Sequence, residues 1–191
     1  MSTDRNILKP LPGFRSQEVA SFLAQMDDQT RRLMEGLKGA TPEELEWQPY
    51  PGTNTIGMLL AHNAIVEVFW TMVALKEDKK PSGEPILGIK DEDDGMPLPE
   101  DGKPPAALAG KDLATYDTLL KKARAYLKQT AASVTDADLE KEVSRIRPNG
   151  EVRVINLRWY FYHILEHYSG HFGQVLLLRH LYQAARVPTK A

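Results

Sequence analysis

Cysteine is absent from this chain of 191 residues. Without a thiol there is no disulfide, no thiolate metal site, no iron–sulfur cluster and no cysteine nucleophile. An excess of charge of one sign is also missing, because 24 basic residues face 26 acidic residues and leave a net charge of −2. Nucleic-acid binders and membrane-surface binders usually carry a basic excess. We therefore expect neither a nucleic acid nor a membrane as partner.

A secretory leader is not evident, since the first fourteen residues have no apolar core and no small-residue cleavage site. The longest apolar stretch, residues 56–75, is nearly long enough to span a bilayer. Its polar members His62, Asn63 and Glu67 would be costly in lipid. We predict a cytoplasmic protein in which this stretch is a buried helix.

Apolar residues recur at helical spacing in long segments, which predicts four long helices over about 16–37, 55–75, 112–134 and 156–185. Short helices are predicted after the first and third of these, where capping-box patterns begin at Thr41 and Thr135. Residues 143–155 alternate around Pro148-Asn149-Gly150, which predicts a short hairpin before the last helix. The expected fold is an all-α four-helix bundle, with residues 1–191 in one domain and residues 1–15 as an N-terminal arm.

The segment over residues 81–110 interrupts the helical pattern between the second and third long helices. It holds six of the 13 prolines, five glycines and the acidic run Asp91–Asp94. The acidic run is not an EF-hand loop, because Gly95 stands where that loop needs an oxygen ligand. We predict a long crossover loop in which the acidic residues are solvated.

Three of the five histidines, His163, His167 and His171, fall within nine residues of the last predicted helix. Residues four apart are neighbours on one helix face, so two of these imidazoles can share an ion. Zinc takes three or four protein ligands in such sites. The third ligand must then come from elsewhere, and His62 in the second long helix is the histidine available. The pattern predicts a three-histidine metal site.

Two pairings on the last helix are open, His167 with His171 or His163 with His167. Each step of four residues drifts about 40° around the helix, so all three cannot comfortably reach one ion together with the histidine of the second helix. In the first pairing His163, Glu166 and Gln174 are candidates for orienting the ligands or moving protons.

Two glycines, Gly170 and Gly173, lie inside the last predicted helix. Each costs about 1 kcal/mol of helix stability relative to alanine. Their spacing predicts close approach of another helix or of a partner subunit. The three tryptophans and the tyrosine-rich start of this helix also favour a homodimer, because they present more large aromatic surface than one small bundle must bury.

Three segments together resemble the DinB/YfiT-like family of metalloenzymes. They are Asn54–His62, His163–Gln174, whose second half is similar to an H-x3-H-x-G-Q signature, and Glu44–Gly52. The resemblance implies a four-helix bundle, commonly a homodimer, whose metal ligands are His62, His167 and His171.

Members of that family with known activity use a low-molecular-weight thiol, bacillithiol or mycothiol, in S-transfer or isomerisation. The resemblance therefore implies a metal-dependent thiol S-transferase acting on small electrophiles. A metal-dependent hydrolase and a non-catalytic, metal-stabilised dimeric binding module are the alternatives. Ligation by histidine alone suits Zn²⁺ best, and Ni²⁺, Fe²⁺ or Mn²⁺ can occupy such a site.

Overall fold

A computed structural model of the chain describes residues 6–146 and 149–186. The helices in chain order are α1 (Gln17–Gly36), α2 (Pro42–Glu46), α3 (Ile56–Leu75), α4 (Glu84–Leu87), α5 (Leu113–Ala131) and α6 (Leu157–Ala185). Two short strands, β1 (Glu142–Ile146) and β2 (Val152–Asn156), form an antiparallel hairpin before α6. The predicted all-α fold, with a hairpin before its last helix, is confirmed.

Each of the four long helices begins after a polar capping residue. The side chains of Ser16, Thr55, Asp112 and Asn156 each accept a hydrogen bond from the backbone N–H three residues further on. Such a cap stabilises a helix by about 1 kcal/mol, because it satisfies a backbone donor that has no partner within the helix. The caps define where α3 and α6 begin.

Helix α3 lies at the centre of the bundle, packed against both α5 and α6, while α1 packs chiefly on α6. It is long and apolar enough to cross a membrane, yet 72% of its most apolar window is buried inside the protein. Met58, Leu60 and Val68 are completely inaccessible to solvent. The long apolar stretch is therefore the core helix of a globular protein, as the sequence predicts.

The crossover over residues 81–110 is more ordered than a solvated loop. It contains α4 and two 3-10 turns, Asp91–Asp94 and Ala106–Leu108. Leu87 and Leu108 join the core beneath α3 and α5, and Asp94 is only 4% exposed. The fit is close at Gly95, where a Cβ atom would lie 2.9 Å from the ring of Pro105. The prediction of a solvated acidic run is thus wrong for Asp94.

The hairpin pairs β1 with β2 so that Val143 lies opposite Ile155, and both residues are buried. At the turn, the backbone N–H of Glu151 donates to the side-chain oxygen of Asn149. Pro148, which belongs to the predicted turn signal, lies outside the described residues. The short helix predicted from Thr135 is a single 3-10 turn over Ala137–Glu140.

The two glycines of α6 do not mark a helix contact within the chain. A Cβ atom built at Gly170 or Gly173 meets no heavy atom within 4 Å among the described residues. The prediction of close approach by another helix is therefore wrong for a helix of this chain. Both glycines lie on an exposed face of α6.

A candidate three-histidine metal centre

Helices α3 and α6 bring His62, His167 and His171 together. The Nε2 atom of His167 lies 3.2 Å from Nε2 of His62 and 3.2 Å from Nε2 of His171. One nitrogen from each ring falls within 4.8 Å of the other two. The i, i+4 spacing on α6 supplies two of these rings, and the α3–α6 contact supplies the third.

Two of the rings are held by a hydrogen bond at their other nitrogen. His62 Nδ1 lies 2.8 Å from Oδ2 of Asp94, and His171 Nδ1 lies 2.7 Å from Oε1 of Gln174. A carboxylate oxygen and an amide oxygen accept hydrogen bonds. Each Nδ1 therefore carries the proton and donates it, which leaves a lone pair on each Nε2 that faces His167.

This arrangement fits a divalent cation. If His167 carries a proton on Nε2, it can donate that proton to only one of the two facing lone pairs. A cation, in contrast, can be coordinated by all three nitrogens. Nitrogens bound to zinc at about 2.0–2.1 Å with tetrahedral angles lie about 3.3–3.4 Å apart. The 3.2 Å separations in the cluster are close to that value. The three histidines can thus hold a divalent metal.

His167 and His171 are in the protonation state that metal binding requires. Burial lowers the pKa of His167 to about 3, and repulsion from the neighbouring imidazoles adds to the effect. Burial also lowers the pKa of His171, partly opposed by its hydrogen bond to Gln174. Both rings are therefore neutral at neutral pH, and neutral imidazole is the form that ligates metals.

Asp94 is the site residue that the sequence analysis missed. It comes from the 3-10 turn of the crossover and not from a bundle helix. Its second oxygen, Oδ1, accepts the backbone N–H of Met96 at 2.9 Å, so both oxygens are held in place. A histidine that donates to a buried carboxylate is a better and better-oriented ligand. In the sequence Asp94 is one of four consecutive acidic residues, and no periodicity distinguishes it from the other three. Its role could therefore not be predicted.

The other predicted site residues lie at different distances from the three clustered histidines. Gln174 contacts a ring of the cluster, as described above. His163 lies one turn earlier, where its ring stacks on Trp159 at 4.5 Å and lies 6.0 Å from the ring of His167. Glu166 is exposed and its nearest described partner is His163, at 3.4 Å. The geometry thus favours the pair His167 and His171 over the pair His163 and His167.

A large cleft lies on another side of the bundle. Its volume is about 760 Å³, and it runs between α1 and α5 without including any histidine. Beneath it the buried Arg124 donates to both oxygens of Glu67 on α3 and to Asp27 on α1. These ionic groups satisfy one another. The convergence of three imidazoles, and not the cleft volume, therefore marks the candidate site.

The site thus consists of three histidines that converge between two helices of a bundle and could hold a metal ion. Residues 21–184 match the family model described as mycothiol-S-transferase. The chain is also similar to a crystal structure of a DinB-like protein from Bacillus cereus, with a TM-score of 0.55. Their sequences are 19% identical, over 90% of this chain and 95% of that chain. Among curated proteins, none matches.

The match to the solved structure supports the fold, and the family model covers most of the chain. The protein therefore belongs to the mycothiol-S-transferase family of DinB-like proteins.

Proposed function

We propose that this protein is a metal-dependent transferase that joins a small electrophile to the sulfur of a low-molecular-weight thiol. In this proposal His62, His167 and His171 hold the ion, which is zinc. The observation that carries the proposal is the convergence of three Nε2 atoms, two of which are fixed as acceptors by Asp94 and Gln174. The family name points to mycothiol as the first thiol to test.

The ion supplies one chemical effect, which is to favour the thiolate form of a thiol near neutral pH. The thiolate sulfur then forms a bond to the electrophilic carbon while the bond from that carbon to its leaving group breaks. The proton of the thiol passes to solvent, and the leaving group departs as an anion. Three histidine ligands leave at least one coordination position open, which is typical of a catalytic and not a structural site.

The chain cannot provide the sulfur, because it contains no cysteine. The thiol must therefore be a cosubstrate from solution. Small thiols stay reduced in the cytoplasm and are oxidised outside it. The proposal accordingly assigns the protein to the cytoplasm.

Hydrolysis is less well supported than thiol transfer. A hydrolase of this kind needs a general base close to the ion to activate water. Among the described residues, the carboxylate at the cluster is Asp94, and its two oxygens already accept from His62 and from the backbone of Met96. Glu166 is exposed and lies against His163. The available carboxylates are thus committed elsewhere.

A conjugation assay tests this function. Metal-loaded protein is mixed with mycothiol, bacillithiol or glutathione and with chloroacetamide, and the loss of free thiol is followed. We expect turnover above the background rate with at least one thiol, and its loss in His167→Ala. The exposed His180 on the same helix gives the control variant His180→Ala, which should remain active. Ester or amide cleavage without thiol would instead support the hydrolase, and silence in both assays would support a binding module.

We also propose that the protein is a homodimer that pairs through the exposed face of α6. Leu177 and Leu181 on this face are 57% and 42% exposed, and the two glycines beside them leave room for a close neighbour. Aromatic surface is a weaker reason, because Trp70 is only 9% exposed within one chain. Light scattering should give a dimer for the wild type and a monomer for a variant with Leu177→Asp and Leu181→Asp. A monomeric wild type at high micromolar concentration would contradict the proposal.

A further inference from the structure

Two arginines face each other across the hairpin. Arg145 of β1 is the cross-strand partner of Arg153 of β2, and both are half-buried. They lie on the side of the hairpin that also carries Val143 and Ile155, which are buried against the bundle. The two guanidinium groups therefore point toward the helices and not away from them.

Aromatic rings of α3 and α6 form the surface beneath these arginines. The Arg145 guanidinium lies 4.6 Å from the ring centre of Phe69, and the Arg153 guanidinium lies 4.3 Å from that of Trp159. Trp70 lies between them, within 6 Å of both. Stacking on aromatic faces orients a guanidinium while leaving its N–H groups free to bind a planar anion.

Within residues 6–146 and 149–186, the charge of this arginine pair is not neutralised by a carboxylate. Like charges directly opposite each other across two strands destabilise a hairpin. Arg124 and Arg158 pair with carboxylates elsewhere in the bundle. Neither Arg145 nor Arg153 has a carboxylate within ion-pair distance in the part of the chain that the structure describes. An anion that accepts hydrogen bonds from both guanidinium groups would reduce the repulsion.

The arginine pair is connected to the histidine cluster by stacked rings. Trp159, which lies under Arg153, stacks on His163 at 4.5 Å between ring centres. His163 in turn lies 6.0 Å from the ring of His167. The cationic pair and the three histidines thus lie along one continuous wall formed by α3, α6 and the hairpin.

We propose that Arg145 and Arg153 bind the carboxylate or phosphate group of an organic anion whose reacting end lies at the three histidines. The link to a reaction rests on the proposed function, but the anion site itself does not require a metal. Either the thiol or the electrophile can carry the anionic group, because both must reach the same wall. Bidentate recognition of a carboxylate by a guanidinium is the chemistry that the pair offers.

Titration of metal-free protein with malonate tests the anion site directly. Trp70 and Trp159 lie beside the arginines, so their fluorescence should report binding. We expect saturable binding that weakens about tenfold or more in Arg145→Gln and in Arg153→Gln, as for loss of a charge-assisted hydrogen bond. Arg186→Gln is the matched control, because Arg186 stacks on Tyr182 at 4.7 Å near the far end of α6. This control should bind malonate like the wild type.

Two further variants keep the titration decisive. Arg145→Lys retains the positive charge but lacks the forked donor of a guanidinium. Its affinity for malonate should lie between those of the wild type and Arg145→Gln. Comparison of Arg145→Lys with the wild type tests the site even if Arg145→Gln folds poorly. His167→Ala lacks a metal ligand and should still bind malonate. Absence of saturable binding, or equal binding by the wild type and both glutamine variants, would overturn the proposal whether or not the protein is a transferase.

Matched substrates then identify which reactant carries the anion. The electrophile pair is chloroacetate and chloroacetamide, and the thiol pair is glutathione and its diethyl ester. In each reaction a carbon–sulfur bond forms, the carbon–chlorine bond breaks, chloride leaves and the thiol proton goes to solvent. We expect the wild type to prefer the charged member of one pair in kcat/KM and Arg153→Gln to lose that preference. An unchanged preference would overturn the assignment, while absence of all turnover would count against the proposed transferase and leave the malonate result standing.

Discussion

Helix α3 carries two polar sites five residues apart, and they differ in how their charges are balanced. At Glu67 the carboxylate receives two hydrogen bonds from Arg124, which also bonds to Asp27, and Asp27 in turn accepts from Lys128. At His62 the ring receives support from Asp94 on one side, and on the other its lone pair faces two further imidazoles. The groups of the first site, Glu67, Arg124, Asp27 and Lys128, form the ion cluster, and they pair with one another within the chain.

The two sites differ in whether their polar groups satisfy one another. A buried ion pair whose members satisfy one another is commonly structural, and its removal affects folding. The histidine cluster brings three ring nitrogens to one point, where a proton on His167 can bond to only one of the two facing lone pairs. The two sites should therefore respond differently to substitution, one through metal content and the other through stability.

The largest expected effect is the loss of metal when a cluster histidine is removed. Wild-type protein should bind one equivalent of divalent metal per chain, and His62→Ala or His167→Ala should bind essentially none, because two imidazoles remain where zinc needs at least three ligands. Elemental analysis after gel filtration measures this.

The histidine outside the cluster provides the control for that experiment. His163→Ala should retain the full equivalent, since its ring stacks on Trp159 and not on the cluster. Metal retained by both cluster variants would refute the three-histidine site. Metal lost in His163→Ala but retained in His171→Ala would instead establish the pair His163 and His167.

The second-largest expected effect is a loss of unfolding free energy when the ion cluster is disrupted. Glu67→Ala leaves the buried Arg124 without its main partner, which should cost about 3–5 kcal/mol of unfolding free energy. Urea denaturation measures the change, with Arg31→Ala as an exposed ion-pair control expected to change little. Metal content per folded chain should not change in either variant. A Glu67→Ala protein that is fully stable, or that loses metal while folded, would show that the two sites are not distinct.

The sequence predicts those parts of the fold and site that follow from local pattern. Ser16, Thr55, Asp112 and Asn156 are caps that can be read from neighbouring residues, and each begins a long helix. The contact of Gln174 with a histidine three residues earlier follows from helical spacing in the same way.

The parts that escaped prediction depend on contacts between distant segments. Asp94 reaches His62 across 32 residues, from a segment without helical periodicity. Arg124 meets Glu67 across 57 residues, and neither side chain carries a local signal of its partner. The open surroundings of Gly170 and Gly173 could not be predicted either. Helical spacing shows on which face of a helix a residue lies, but it does not show what packs against that face.

A smaller effect is expected when the support behind His62 is weakened. Asp94→Asn keeps an acceptor for the backbone of Met96 but replaces the carboxylate that orients and polarises His62. Loss of such a partner typically lowers metal affinity about 10–100-fold. Competition with a chelator should show this loss with stoichiometry unchanged. Glu92→Gln, an exposed neighbour in the same acidic run, should leave the affinity as it is, and equal affinities for both variants would remove Asp94 from the site.

The smallest expected effect is the pH dependence of the metal-free protein. Burial lowers the pKa of His167 to about 3 in the folded chain, whereas a histidine in the unfolded chain has a pKa of about 6.5. As pH falls below neutrality the unfolded chain therefore binds a proton that the folded chain does not, and the free energy of unfolding decreases. Between pH 7 and pH 6 this residue should account for a loss of up to about 0.7 kcal/mol.

The ion cluster provides the contrast for that measurement, because it contains no histidine. Urea denaturation of metal-free His167→Gln at the two pH values should show a smaller decrease than the wild type. His180→Gln, which removes an exposed histidine on the same helix, should behave like the wild type. If His167→Gln and the wild type lose the same free energy over this interval, burial does not lower the pKa of His167 in the folded chain. That outcome would remove the physical basis for treating His167 as a ligand kept neutral by burial.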